Sequence, residues 1–457
     1  MLHLSRSVLS ALPQIQSLRP QPTALLRLTW GIVAIGLGAC QALAPGPTPP
    51  NASLPTAAPQ ASPPEPSIPE PSPPEPNPTV QPLHLLTWQG YAPPELVQRF
   101  EETTGFPVEV TYINSNAELI QHLSQQGQAG SPTAYDLVTP LASDLPLTQN
   151  QYLPYQPLDL ERIENLKGLV PTLSRQAVKW NNLNLGKARP ATNSSPSSRQ
   201  QQSEGNSGAT TANNNPDRPK TPKGTQGQYG LPAAWGTVGL VVQQQSHPDL
   251  TAYRHLCDRS LSPGIALPDR FLSLMAAAYA QNLDPFKVLE QVPPDPEAWD
   301  EVLDASDQYL QDCQDNILAQ GQDHQQMLDL LYDETAIAAL VWDNTGWLLQ
   351  QLNPNFKFIT PEEGALGWIT VFALPHSADN PDAAYAWINF LYQPDQAAAF
   401  TLSSGFLSPI AATVDALPAP QQDLIRPFYA PQSLDRIHWL PPHPLALESV
   451  TATYLQP

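Results

Sequence analysis

The chain has 457 residues and a formal charge of −21, which excludes nucleic acid as a partner, because phosphate neutralisation needs a basic face. Its 55 prolines and a charged fraction of only 14% exclude a chain that folds throughout. Ten tryptophans and 41% hydrophobic residues exclude one that is disordered throughout, and three cysteines are too few for a disulfide scaffold.

Residues 1–39 carry Arg6, Arg19 and Arg27 and no acid. The apolar run from Leu28 to Ala39 is shorter than the ~20 residues a bilayer span needs and fits the apolar part of a signal peptide. It ends in Leu37-Gly38-Ala39-Cys40, which resembles the lipobox of bacterial lipoproteins. On that reading Cys40 is lipidated and anchors the protein; on the alternative it is incidental to a plain secretory signal. The expected location is periplasmic, held to a membrane through an N-terminal lipid, with a mature charge of −24 once the three arginines are removed. Residues 40–82 form the next segment, with 16 prolines in the 38 residues from Pro45 to Pro82. Such a stretch extends as a polyproline stalk of about 3 Å per residue.

From 83 to 88 the run LHLLTW reads as a buried strand. Pro93-Pro94 open a helix in which Leu96, Val97 and Phe100 share a face, and Gly105 closes it. Residues 107–113 alternate as a second strand, Ser115 with Glu118 makes a capping box for the next helix, and 135–140 is a third strand. Strands alternating with helices over short connections predict a parallel α/β sheet. Residues 187–228 contain no Val, Ile, Leu, Met, Phe, Trp or Tyr and carry six basic and two acidic groups. This reads as a disordered insertion, either a tolerated loop or one that docks an anionic surface. Residues 229–242 form a long extended stretch suited to crossing between lobes. Further strands are expected at 264–267, 336–342 and 368–375, and helices at 381–392 and 394–404. Cys257 and Cys313 could pair in an oxidising compartment or remain free buried thiols.

No nucleophile elbow, zinc-protease motif, paired-cysteine motif or phosphate loop is present, and His247, His255, His324, His376, His438 and His443 lack metal spacing. Asp329, Asp333 and Glu334 fit a solvated helix end. Neither an enzyme nor a cofactor or metal is expected. The signal lies instead in four clusters placed at predicted strand ends: Trp88-Gln89-Gly90-Tyr91, Leu267-Pro268-Asp269, Trp342-Asp343-Asn344 and Gly367-Trp368-Ile369-Thr370. Ligands of open α/β sheets bind beyond the carboxyl ends of strands. Aromatic faces attract cations, and a carboxylate such as Asp269 completes a cation site.

Seven segments in order resemble the periplasmic spermidine/putrescine-binding proteins of ABC transporters, over about Leu83 to Ile410. They are LTWQGYAPPELVQRFEETTGFPVEV, YDLVTP, YGLPAAWGTVGL, ALVWDNTG, GALGWITVFALP, AAYAWINFLYQPDQAAAF and SSGFLSPI. The resemblance implies a two-lobed α/β fold of the periplasmic-binding-protein type II class with hinge-crossing strands, preceded by the signal peptide and tether. The lobes would divide as 83–232, 233–368, 369–412 and 413–457, alternating between lobe 1 and lobe 2. It implies a small-molecule solute, a polyamine, clamped in an aromatic-lined interlobe cleft and delivered to an ABC permease of the inner membrane. By the same resemblance Trp88 and Tyr91 are first-lobe aromatics, Trp342 and Trp368 cleft tryptophans, and Asp269 an amine-binding acid, with Gln89, Asp343 and Thr370 beside them. Where the family places acids this chain has Leu272 and Thr370, and Leu141, Ser143 and Phe406 replace its Ser and Tyr residues. The alternatives are another amine, an amino acid or an anion on the same fold, or an envelope protein with a degenerate cleft and no transport role.

Overall fold

The computed structural model describes residues 80–125, 134–151, 154–181, 227–321 and 324–455. Residues 1–39, Cys40 and nearly all of the proline-rich segment and the 187–228 insertion lie outside them. The strands are β1 (Leu83–Trp88), β2 (Val108–Ile113), β3 (Leu137–Val138), β4 (Leu231–Gln243), β5 (Ile265–Leu267), β6 (Ile317–Gln320), β7 (Ala338–Trp342), β8 (Phe356–Ile359), β9 (Ala365–Phe372) and β10 (Ile437–Trp439).

β1 lies between β2 and β3 in a parallel three-stranded sheet, which is why its run is apolar at nearly every position. The helix Pro94–Thr104 that leaves β1 starts on its proline and stops where Gly105 takes φ 78°, its N–H closing on Glu101 O at 2.8 Å. After β2, Glu118 N donates to Ser115 Oγ at 3.2 Å, as a capping box requires. The Glu118 carboxylate then reaches back one residue further than expected, to Asn114 N at 2.7 Å.

The second sheet has seven strands in the order β10-β9-β4-β7-β5-β6, with β8 also on β4. β4 spans 13 residues, twelve of them buried. Its first part pairs antiparallel with β9, its last part with β7 and β8. β9 also meets the small sheet: Val138 and Ala373 exchange both backbone hydrogen bonds at 3.0 Å, and Ala142 N donates to Ile369 O at 2.7 Å. β4 and β9 therefore run as a pair from one sheet towards the other, and the expected lobe boundaries at 232/233 and 368/369 fall inside them.

Each sheet has its own apolar packing. Over the small sheet, Leu83 and Leu85 meet Phe100, Trp387 and Phe390 from the helices Pro94–Thr104 and Pro381–Leu391. Beside the large sheet, Leu240 and Leu340 meet Met275 and Trp299 from the helices Arg270–Ala280 and Pro296–Asp312. Each fully buried side chain of this size contributes about 1.5–3 kcal/mol. Cys257 and Cys313 form a disulfide, Cα atoms 4.8 Å apart, tying the segment before β5 to the end of the helix Pro296–Asp312.

Candidate functional site

Three of the four clusters follow a strand. β1 ends at Trp88, β7 at Trp342, and Asp269 stands two residues beyond β5. β5 and β7 are parallel, with Ile265 opposite Ala338 and Ala266 opposite Ala339, so the two neighbouring strands run the same way towards Asp269 and Trp342. The fourth cluster corrects the expectation. Trp368 and Thr370 lie in the middle of β9, opposite Gly236 and Ala234 of β4, because the antiparallel pairing runs straight past them.

Gly236 makes that crossing possible. A Cβ there would stand 2.6 Å from Trp368 Cζ2 and 3.2 Å from Asp343 Oδ1, so only glycine lets the indole and the carboxylate approach the strand. From this point the aromatic rings form a continuous edge-to-face chain. Trp342 meets Trp368 at 6.1 Å, Trp368 meets Phe406 at 5.8 Å, and Phe406 meets Tyr91 at 4.9 Å. Thr370 Oγ1 donates to the Tyr91 hydroxyl at 3.3 Å, and burial pushes that phenol's pKa well up. Tyr91, Asp343, Trp368 and Thr370 are buried, whereas Trp88, Trp342 and Phe406 are half-buried and Gln89 and Asp269 are exposed. Trp368 Nε1 is enclosed without a hydrogen-bond partner among the described residues. Trp88 is oriented by its Nε1, which donates to Thr139 O at 2.8 Å.

The two sequence-identified carboxylates differ. Asp343 is 1% exposed and faces inward, accepting from Thr237 N (2.7 Å), Thr237 Oγ1 (3.2 Å) and Asn344 N (2.8 Å). Burial outweighs these bonds and pushes its pKa up to about 7. Its lone pairs already serve the chain's own donors. Asp269 caps the helix Arg270–Ala280 by accepting from Leu272 N at 3.0 Å. It is exposed, and partial desolvation by its surroundings raises its pKa. Leu272, one turn on, is a core residue of the large-sheet packing.

The structure thus brings Tyr91, Trp342, Asp343, Trp368 and Thr370 together with Phe406. It sets Trp88 and Gln89 at the end of β1 and Asp269 beyond the end of β5, which pairs with the strand that ends at Trp342. Two polar residues were not identified from sequence, Asn116 and Asp144. Both open helices after strands β2 and β3, and position after a strand end is the signal that would have found them. No group of three metal-binding side chains is present among the described residues.

The sequence profile described as bacterial extracellular solute-binding protein matches residues 95–427. The putrescine-binding periplasmic protein PotF of Escherichia coli K12 is 26% identical over 330 residues, covering 68% of this chain and 74% of that protein. A spermidine/putrescine-binding periplasmic protein of Salmonella typhimurium is 20% identical over 334 residues, 72% of this chain and 77% of the relative. Among solved structures, the spermidine/putrescine ABC transporter substrate-binding protein PotD of Streptococcus pneumoniae superposes with a TM-score of 0.60 at 18% identity, over 82% of this chain and 98% of its own. The profile match runs from before β2 to beyond β9 and includes both crossing strands, β4 and β9. The chain belongs to the bacterial extracellular solute-binding protein family and has its two-lobed type II periplasmic-binding-protein fold.

Proposed function

We propose that the chain is the exported solute-binding subunit of an ABC importer for a small amine-bearing solute, with polyamines the leading class. The observation that carries this reading is the aromatic chain Trp342–Trp368–Phe406–Tyr91 set against the β4–β9 ladder, with exposed Asp269 just beyond the end of β5, the neighbour of the strand that ends at Trp342. Aromatic faces bind cationic alkyl chains by about 0.5–2 kcal/mol each, and an accessible carboxylate supplies a charge-assisted hydrogen bond. The Escherichia coli and Salmonella typhimurium relatives, putrescine- and spermidine/putrescine-binding proteins, point to the same solutes.

On this reading the two lobes close over the solute, whose differential affinity for the closed state shifts the equilibrium. The alternation 83–232, 233–368, 369–412 and 413–457 defines the lobes, with the first two turn-over points inside β4 and β9 and the third at the start of the helix Thr413–Ala416. Cys40 carries the lipid, and the proline-rich segment to residue 82 is the tether between that anchor and the binding unit. The test is thermal unfolding with putrescine, spermidine, amino acids and oxyanions. A true solute at about 100 times its dissociation constant adds about 2.7 kcal/mol of stability. Stabilisation by polyamines alone supports the reading. Stabilisation by another class alone replaces the solute.

A further inference from the structure

Asn116 opens the helix Asn116–Gln125 after β2, and Asp144 precedes the helix Leu145–Gln151 after β3. The strand order β2-β1-β3 puts these loops on opposite sides of β1. Even so, Asn116 Nδ2 donates to Asp144 Oδ2 at 2.6 Å. The contact therefore closes across the carboxyl end of β1, the strand that ends in Trp88. It also lies close to β9, because Leu141, three residues before Asp144, bridges to Thr370.

At the start of the helix Leu145–Gln151 the backbone carbonyl Asp144 O accepts from Thr148 N at 2.9 Å. The side chain instead takes the Asn116 amide and the Ser143 hydroxyl (3.3 Å). Asp144 has no ion-pair partner among the described residues, and Asn116 Oδ1 is enclosed and accepts no hydrogen bond among them. Asp144 is half-buried, and desolvation pushes its pKa up to about 6. The patch has one uncompensated negative charge and an unmet acceptor. An ammonium group brings a positive charge and three N–H donors.

We propose that Asp144, held by Asn116, is a second ammonium-docking point at the carboxyl edge of the small sheet, the counterpart of Asp269 on the large one. The solute would then be a diamine or longer amine with charge at both ends. The inference rests on the amine reading above.

Calorimetric titration of the full chain with 1,4-diaminobutane and 1-aminobutane tests it. Asp144→Asn should weaken diamine binding by about tenfold or more, leave monoamine binding within about twofold, and melt no lower than wild type, because a desolvated unpaired carboxylate opposes folding. Asn116→Ser should give a smaller loss with the same selectivity. If wild type binds the diamine and Asp144→Asn binds it equally well, the second docking point is overturned while the amine reading stands. Equal losses for both amines with a lowered melting temperature would assign Asp144 a structural role and overturn the proposal. If wild type binds no amine, the amine reading falls and takes the docking point with it.

Discussion

Gly236→Ala is the substitution that most sharply probes how the site is built. The added Cβ would lie 2.6 Å from Trp368 Cζ2 and 2.9 Å from its Cε2, against roughly 3.5–4.0 Å for carbon atoms in ordinary contact. The indole must retreat by about 1 Å. It is backed by Trp342 and Phe406, and its backbone is pinned opposite Gly236 in the β4–β9 ladder, so the shift cannot be absorbed by one rotamer. Asp343 Oδ1, 3.2 Å from the new methyl, is crowded from the other side. Overpacking of this kind costs about 1–3 kcal/mol. Urea unfolding followed by tryptophan fluorescence reads the stability, and calorimetric titration reads the displaced aromatic platform as weaker solute binding. Gly105→Ala is the control. Its Cβ meets open space, but φ 78° makes it strained by about 1 kcal/mol, with no effect on solute binding. Gly236→Ala with stability within about 0.5 kcal/mol of wild type and unchanged affinity would refute the reasoning.

Burial raises the carboxyl pKa of Asp343 to about 7 and of Asp144 to about 6, so the native state keeps these protons at pH values where the unfolded chain has lost them. Their contribution to stability falls as pH rises from about 4 to 7. The unliganded protein should melt higher at pH 5 than at pH 8, and Asp144→Asn should remove part of that difference; the opposite order contradicts the assignment. The Cys257–Cys313 disulfide spans a sequence separation of 56. Replacing both by serine should destabilise by about 4 kcal/mol in denaturant titrations, and an unchanged midpoint would show that the crosslink constrains nothing. Trp88→Ala should weaken amine binding by about 1–2 kcal/mol through lost stacking, measured by titration calorimetry; unchanged binding would move Trp88 out of the site.

Much of this architecture is legible in the residues. The apolar run 83–88, the Gly105 stop and the Ser115–Glu118 box each follow from local physics; the structure carries the first two and the Ser115 half of the third, Glu118 reaching Asn114 N instead. The helix Arg270–Ala280 was not legible because it is apolar nearly all round, with every residue from 272 to 279 buried, so it shows little helical period. Trp368 and Thr370 look like a strand end in sequence because nothing local tells that β4 continues beside them. Asp343 looks like a site carboxylate, but whether it faces solute or Thr237 is decided by a strand more than a hundred residues away. The Asn116–Asp144 contact depends on strand order alone.

The most direct test of the account is titration of putrescine into wild type and Asp269→Asn. Asparagine can still cap the helix Arg270–Ala280, so the fold is spared and only the charge is lost. The account predicts saturable putrescine binding by wild type, weakened by about tenfold or more in Asp269→Asn at an unchanged melting temperature. Putrescine binding that ignores the loss of Asp269, or its absence from wild type while another solute class binds, would contradict it.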